Sequence, residues 1–344
     1  MNLAVPYTAV ADQLPMIATG SPAPRRLVVA DVGGTFARIA EVVIAPGRSP
    51  DVLAYRKYAG AEHADLAAIL RRFIDEEATS PLEDAVVAIA GVLDGDTLVN
   101  ANLPWPVSIA RTREAASLSS LQLINDFEAV AFAIPHVAPE GLLSLTEEGA
   151  AHRFQWPALV IGPGTGLGAA LRFEGGERPV LASEVGHAAL AAGTELELQV
   201  LHRLLKRWSH VDNERVLSGN GLMNLYPALC EIRGATPHWQ TPEQLIAAAN
   251  AGDDAIAVET LEVFSGWLGS LIGDLVITFG ARSVYLAGGI SAHVETFLRG
   301  RTFRERYSDK GVLGHVVRHV PVWRVDHGQL GIVGAAAWFQ QHAP

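Results

Sequence analysis

The sequence predicts an α/β protein of two similar lobes facing one another across a cleft. Three observations predict it. A unit of strand, glycine turn and strand occurs twice, first around Gly33-Gly34-Thr35 and again around Gly164-Thr165-Gly166. Strand-like apolar runs alternate with helix-compatible stretches, the grammar of a mainly parallel sheet covered by helices. The chain has 344 residues, 49% of them apolar, which is enough to bury two cores.

Taken in order, Leu27 to Asp31 is a short buried-strand run, the glycines supply a turn, and Ala37 to Ile44 (ARIAEVVI) is β-branched and again strand-like. Glycines that join strand to strand argue against a Rossmann fingerprint or a P-loop, whose glycines open a helix. Asp65 to Glu77 suits a helix, and Asp84 to Ile89 and Leu121 to Ile124 suit strands. Ala158 to Ile161 and Leu167 to Phe173 flank the second turn. Helical stretches follow from Glu195 to Trp208 and from Thr241 to Gly280. The strand Ser283 to Ala287 leads into Gly288-Gly289, with Ser291 placed to cap a helix, and Gly331 opens an Ala-rich terminal helix. The expected division is a flexible extension over 1–25, a small lobe from 26–136 plus 327–344, and a large lobe over 137–326.

A net charge of -11 opposes binding to nucleic acid, whose readers carry a clustered basic face. Cys230 is the only cysteine, which excludes an intramolecular disulfide and a multi-cysteine zinc site and agrees with a cytoplasmic location. The first residues lack a basic start and carry Pro6, Asp12 and Pro15, so they do not read as a signal peptide. Val263 to Gly280 approaches membrane-span length, but Asp274 and several glycines make it a buried core helix, and no membrane partner is expected.

The chemistry concentrates at strand ends. Gly33, Gly34 and Thr35, Gly164, Thr165 and Gly166, and Gly288 and Gly289 each follow an apolar strand; any one set reads as a tight turn, while three together suit phosphate oxygens approaching backbone N–H groups. Asp31, just before the first turn, is placed to hold hydrated Mg²⁺, an ion bound by few carboxylates; alone it would read as a turn-stabilising aspartate. Asn125 and Asp126 end the strand LQLI, where Asp126 can accept the proton of an attacking hydroxyl that Asn125 orients, or simply cap the next helix. Glu184 and His187 in SEVGH have the ExxH spacing of helical di-metal sites, but there is one copy with a glycine inside it, so sugar hydroxyls are the better ligand, with Glu214 as a third polar group. His315 and His319 lack the glutamate of a zincin motif, alternate like a strand, and read as structural.

With these motifs assembled, the chain resembles the bacterial glucokinase family of the actin/hexokinase superfamily, from Leu27 to the C-terminus. ADVGGTFARIAEV, LINDFEAVAFAIP, VIGPGTGLGAAL, SEVGH, ERVLSGNGL and VYLAGGI follow in the family's order. The resemblance implies two ribonuclease-H-like lobes, ATP and Mg²⁺ as cofactors, glucose phosphorylated at its 6-hydroxyl, and a homodimer. It implies that Asp126 is the catalytic base, that Asn102, Asn125, Asp126, Glu184, His187 and Glu214 contact the sugar, and that the glycine turns hold the nucleotide. Phe36 stands where the family usually has Asn, Val185 replaces a glycine and is expected to reshape the sugar loop, and Asn220 often reads Pro. A kinase for another hexose or an amino sugar, a silent sugar sensor, and an actin-like ATPase are the competing readings.

Overall fold

The structure, a computed structural model, describes residues 23–99, 103–146, 152–326 and 328–342; most of the expected extension and Asn102 lie outside them. The first sheet is made by β1 (Arg25–Val32), β2 (Phe36–Ile44), β3 (Asp51–Ala59) and β4 (Asp84–Ile89). A small three-stranded sheet of β5 (Val92–Asp94), β6 (Thr97–Val99) and β7 (Val107–Ser108) interrupts before β8 (Ser120–Ile124) completes the first. The order is β3-β2-β1-β4-β8, with β1–β2 and β2–β3 antiparallel and β1–β4 and β4–β8 parallel.

The second sheet repeats this plan. Following β9 (Leu142–Ser144), the strands β10 (Ala158–Pro163), β11 (Leu167–Arg172), β12 (Val180–Ser183), β13 (Ser283–Leu286) and β14 (Val322–Val325) lie in the order β12-β11-β10-β13-β14, with β9 antiparallel on the outer edge. Its first three strands are antiparallel and the next two parallel, as in the first sheet. The duplicated sequence unit is therefore a duplicated topology, and the two glycine turns occupy equivalent corners.

On one face of the first sheet lie α1 (Leu66–Glu77) and α2 (Ile109–Ala115). Asp65 caps α1 by accepting from Ala68 N at 2.8 Å, and Leu66, Ile69, Leu70 and Phe73 form the buried face at helical spacing. α3 (Asp126–Ala133) follows β8 directly. The second sheet carries the larger helices: α4 (Glu195–Leu204), α5 (Gly219–Arg233), α6 (Pro242–Ala251) and α7 (Ala255–Phe279). Asp254 caps α7 and Gly280 ends it in the left-handed region at φ 62°. Leu261, Phe264, Trp267, Leu268 and Ile272 of α7 are buried in the second core, so this long apolar helix is a core element, as its interrupted sequence predicts.

Short helices follow: α8 (Gly289–His293), α9 (Glu295–Leu298), α10 (Arg301–Ser308) and α11 (Gly314–Val317). Two local expectations are corrected here. His315 lies on α11 and His319 just beyond it, not on a strand, because Val317 alone of the motif's valines turns inward while Val316 is exposed. Ser291 sits inside α8, its hydroxyl donating to the Gly288 carbonyl at 2.7 Å, and Gly288 occupies the capping position.

The last helix, α12 (Leu330–His342), crosses back to the first sheet, where Ile332, Ala335, Ala336 and Phe339 pack on Leu27, Val29, Ala40 and Val42. α3 lies against α12 on one side and the second sheet on the other: Ala129 joins the first core, while Val130, Ala131 and Ala133 join Ala158, Val160 and Ala170. A Cβ at Gly334 would collide with the Ala129 carbonyl, so the two helices meet backbone to backbone.

Candidate active site

Both glycine turns spend their first glycine on closing themselves. Gly33 N donates to Phe36 O at 2.9 Å, and Gly164 N donates to Gly166 O at 2.8 Å. Of the expected phosphate contacts, Gly33 and Gly164 therefore serve the turn with their N–H groups, which leaves the N–H groups of Gly34, Thr35, Thr165 and Gly166 as the candidate donors. The first turn is braced from the segment just after β3, where Gly60 N donates to Thr35 O at 2.9 Å, and Trp105 Nε1 donates to Gly60 O at 3.3 Å. The second is braced from two sides: Gly219 N donates to Gly164 O at 2.9 Å, and a Cβ at Gly288 would collide with Pro163 O. Gly288 also needs a positive φ of 91°, so the third glycine pair, with Gly289 beginning α8, is fixed against the second turn by both shape and backbone conformation.

Asp31 is the penultimate residue of β1, its carboxylate accepting from Arg38 at 3.2 Å, beside the start of α12, where a Cβ at Gly331 would stand 2.6 Å from the Asp31 carboxyl carbon. Asn125, not Asp126, caps α3: its side-chain oxygen accepts from Phe127 N at 2.9 Å and Glu128 N at 3.1 Å. That commits the oxygen and leaves the amide N–H₂ of Asn125 as the group able to donate to a ligand. Asp126 takes the first position of the helix, where its own carboxylate also accepts from Phe127 N, at 3.0 Å.

Burial pushes the Asp126 carboxyl up to about 6, opposed in part by the Phe127 N–H and reinforced by the negative charges of Asp31 and Glu184. The side chain keeps some contact with solvent, yet protein surrounds it closely enough for desolvation to dominate. Asp31 belongs to the first sheet and Glu184 to the loop after β12, so Asp126 feels both walls of the cleft at once.

The sugar-loop residues are held from below. Glu184 and His187 bound a 3₁₀ turn (Val185–His187), are largely exposed at 61% and 66%, and stand 3.9 Å apart. Val185 is buried in the core and has no positive φ, so a β-branched side chain sits in this turn without backbone strain. Glu214 accepts from Leu167 N at 2.9 Å, and a Cβ at Gly166 would collide with the same carboxylate, so one side chain joins the second turn to the sugar loop. Asn220 lies exposed in the first turn of α5.

Two residues that the sequence did not flag position these groups. Asn213, 3% exposed, donates from Nδ2 to Val185 O and from N to Ala188 O, both at 2.9 Å. His210 Nε2 donates to His187 O at 2.9 Å. Neither bears a motif; only the fold reveals them. Among the described residues, no group of three or more His, Cys, Asp or Glu side chains is arranged to hold a metal ion by itself. Asp31 and Asp126 supply two nearby carboxylates, a donor set that fits a Mg²⁺ ion arriving with phosphates and most of its waters, not a protein-only cage.

Comparison with known proteins agrees with this geometry. A protein-family model for glucokinase matches residues 28–342. A glucokinase-like protein of Xylella fastidiosa is 44% identical over 91% of this chain and 94% of its own, and a glucokinase of Saccharophagus degradans is 35% identical over 91% and 98%. The crystal structure of a glucokinase from an Antarctic psychrotroph, 32% identical, superposes with a TM-score of 0.78 over 92% of this chain and 98% of that one. The chain belongs to the glucokinase family and has the actin/hexokinase-type fold of sugar kinases.

Proposed function

We propose that this member of the glucokinase family transfers the terminal phosphoryl group of ATP to the 6-hydroxyl of glucose, giving glucose 6-phosphate and ADP. The observation that carries the reading is Asp126: a carboxylate raised to about 6, at the C-terminal end of a strand, between a phosphate-type turn and a polar loop. At neutral pH it is mostly ionised and still basic enough to take a proton, which is what a general base needs.

Glu184, His187 and Glu214 hold the sugar hydroxyls, and the Asn125 amide donates toward the hydroxyl that reacts. As the glucose O6 attacks the terminal phosphorus, its proton passes to Asp126, the new O6–P bond forms, and the bond to the ADP oxygen breaks with its electrons going to ADP. The N–H groups of Gly34, Thr35, Thr165 and Gly166 receive the phosphate oxygens. Asp31 would hold Mg²⁺, which when bound would supply charge neutralisation on the phosphates. With little covalent work for the protein, positioning and charge stabilisation dominate.

A coupled ADP assay with and without glucose, followed by identification of the product by ³¹P and ¹³C NMR, tests the reading. ADP release that requires glucose, with phosphate on O6, is expected. Turnover on a different hexose or amino sugar in preference to glucose would replace the substrate assignment, and glucose binding without turnover would leave a sensor.

A further inference from the structure

A row of three charged side chains crosses the first sheet beside the first glycine turn. Asp31 on β1 pairs directly with Arg38 on β2, and Arg38 pairs directly with Lys57 on β3. Residues directly opposed on neighbouring strands project from the same face, so the three stand side by side. Arg38 is committed to Asp31 at 3.2 Å. Lys57 makes no ion pair among the described residues; its ammonium lies 3.6 Å from the centre of the Phe36 ring.

That placement has a direction. β3 is the edge strand of its sheet, and an edge lysine ordinarily extends into water. Lys57, exposed like Phe36, instead lies over its diagonal neighbour on β2, an aromatic face that attracts a cation. Phe36 is the residue immediately after Gly33-Gly34-Thr35, and its carbonyl closes that turn. The chain has three lysines; Lys310 is bonded to Asp274 and Lys206 follows α4, which leaves Lys57 as the one beside the turn. Because the charges of Asp31 and Arg38 offset one another, Lys57 gives the row its net positive charge.

We propose that Lys57, held in place by Phe36, is a binding residue for the phosphates of the nucleotide at the first glycine turn. The inference rests on the reading of that turn as a nucleotide-phosphate site. Phe36 then acquires a defined role, since an asparagine there would offer neutral hydrogen bonds whereas the ring presents a cation.

Calorimetric titration of the whole protein with ATP, ADP, adenosine and glucose tests it. Lys57→Gln is expected to weaken ATP by about five- to twentyfold, the scale of one charge-assisted contact, with adenosine and glucose changed by no more than about twofold. Lys57→Arg should recover most of the loss. Phe36→Leu, which keeps the lysine but removes its platform, should fall between wild type and Lys57→Gln. The salt dependence of ATP affinity should be shallower in Lys57→Gln than in wild type. ATP affinity unchanged in Lys57→Gln, or equal losses for ATP and adenosine, would overturn the proposal and leave Lys57 as a solubilising edge residue. A wild-type protein that binds glucose but neither ATP nor ADP would overturn the nucleotide site together with it.

Discussion

The two glycine turns occupy the same corner of the same topology, yet they differ in what surrounds them. At the second, Glu214 fills the space a Gly166 Cβ would need, and the Gly288 backbone closes on Pro163. At the first, a Cβ on Gly33 would meet only Phe36 O at 3.7 Å, an ordinary contact. The first glycines are alike, since a Cβ on Gly164 would meet nothing within 4 Å; the second turn differs in being closed by protein at Gly166 and beside Gly288, while the first has charged side chains standing beside it. Equal sequence signals can therefore mark glycine kept for packing and glycine compatible with ligand approach.

The largest effect expected is at Asp126, which bridges the two halves. Asp126→Asn should lower turnover by at least about a hundredfold while glucose binding persists, measured with purified variant in the coupled assay. Wild-type kcat should fall as pH drops through about 6, when the base is protonated. The stability consequence has the opposite sense. A carboxyl raised from 3.8 to about 6 favours the folded state fully below 3.8, and that contribution is lost as pH rises through about 6. Asp126→Asn should therefore be more stable than wild type at pH 8, by about 3 kcal/mol in urea unfolding. Wild-type turnover in the variant would remove Asp126 from catalysis.

Next come the second-lobe ligands. Glu184→Ala and His187→Ala should each raise the glucose KM by about tenfold or more and leave the ATP KM within about twofold, because sugar hydroxyls lose their partners. Both side chains are largely exposed, so melting temperatures should hardly move. Parallel rises in both KM values would count against the division of the cleft into a sugar side and a nucleotide side.

The smallest effects test the comparison itself. Gly166→Ala should cost about 1–3 kcal/mol of stability by overpacking against Glu214, while Gly33→Ala should stay within about 0.5 kcal/mol. Equal losses in denaturant titrations would mean that the two corners are packed alike.

Much of this arrangement was legible in the sequence because it is local. Strand, turn and strand lie within about twenty residues of each other in both copies, and Asp31, Asp126 and Glu184 sit beside recognisable runs. What was missed is what depends on distant partners. β3 escapes detection because DVLAYRKYA is a half-exposed edge strand with mixed charges, and β12 because VLAS is short and mostly exposed. The pairing of Asp31, Arg38 and Lys57 exists only once three strands are side by side. Asn125 and Asp126 were both visible as candidates, but which of them caps α3 is decided by backbone direction, not by residue type.

The position of α12 has a consequence for how the chain comes into being. The helix that seals one face of the first sheet comes after every strand of the second sheet in the chain, and the close fit of Gly334 on Ala129 admits no larger substitute at that point. During synthesis, β1 to β8 emerge early but cannot bury Leu27, Val29, Ala40 and Val42 against α12 until that helix too has emerged. The second sheet, whose strands and helices all precede α12, has its own partners in hand sooner. The half made first is completed last, which ties the folding of the first sheet to a helix that lies beyond the second.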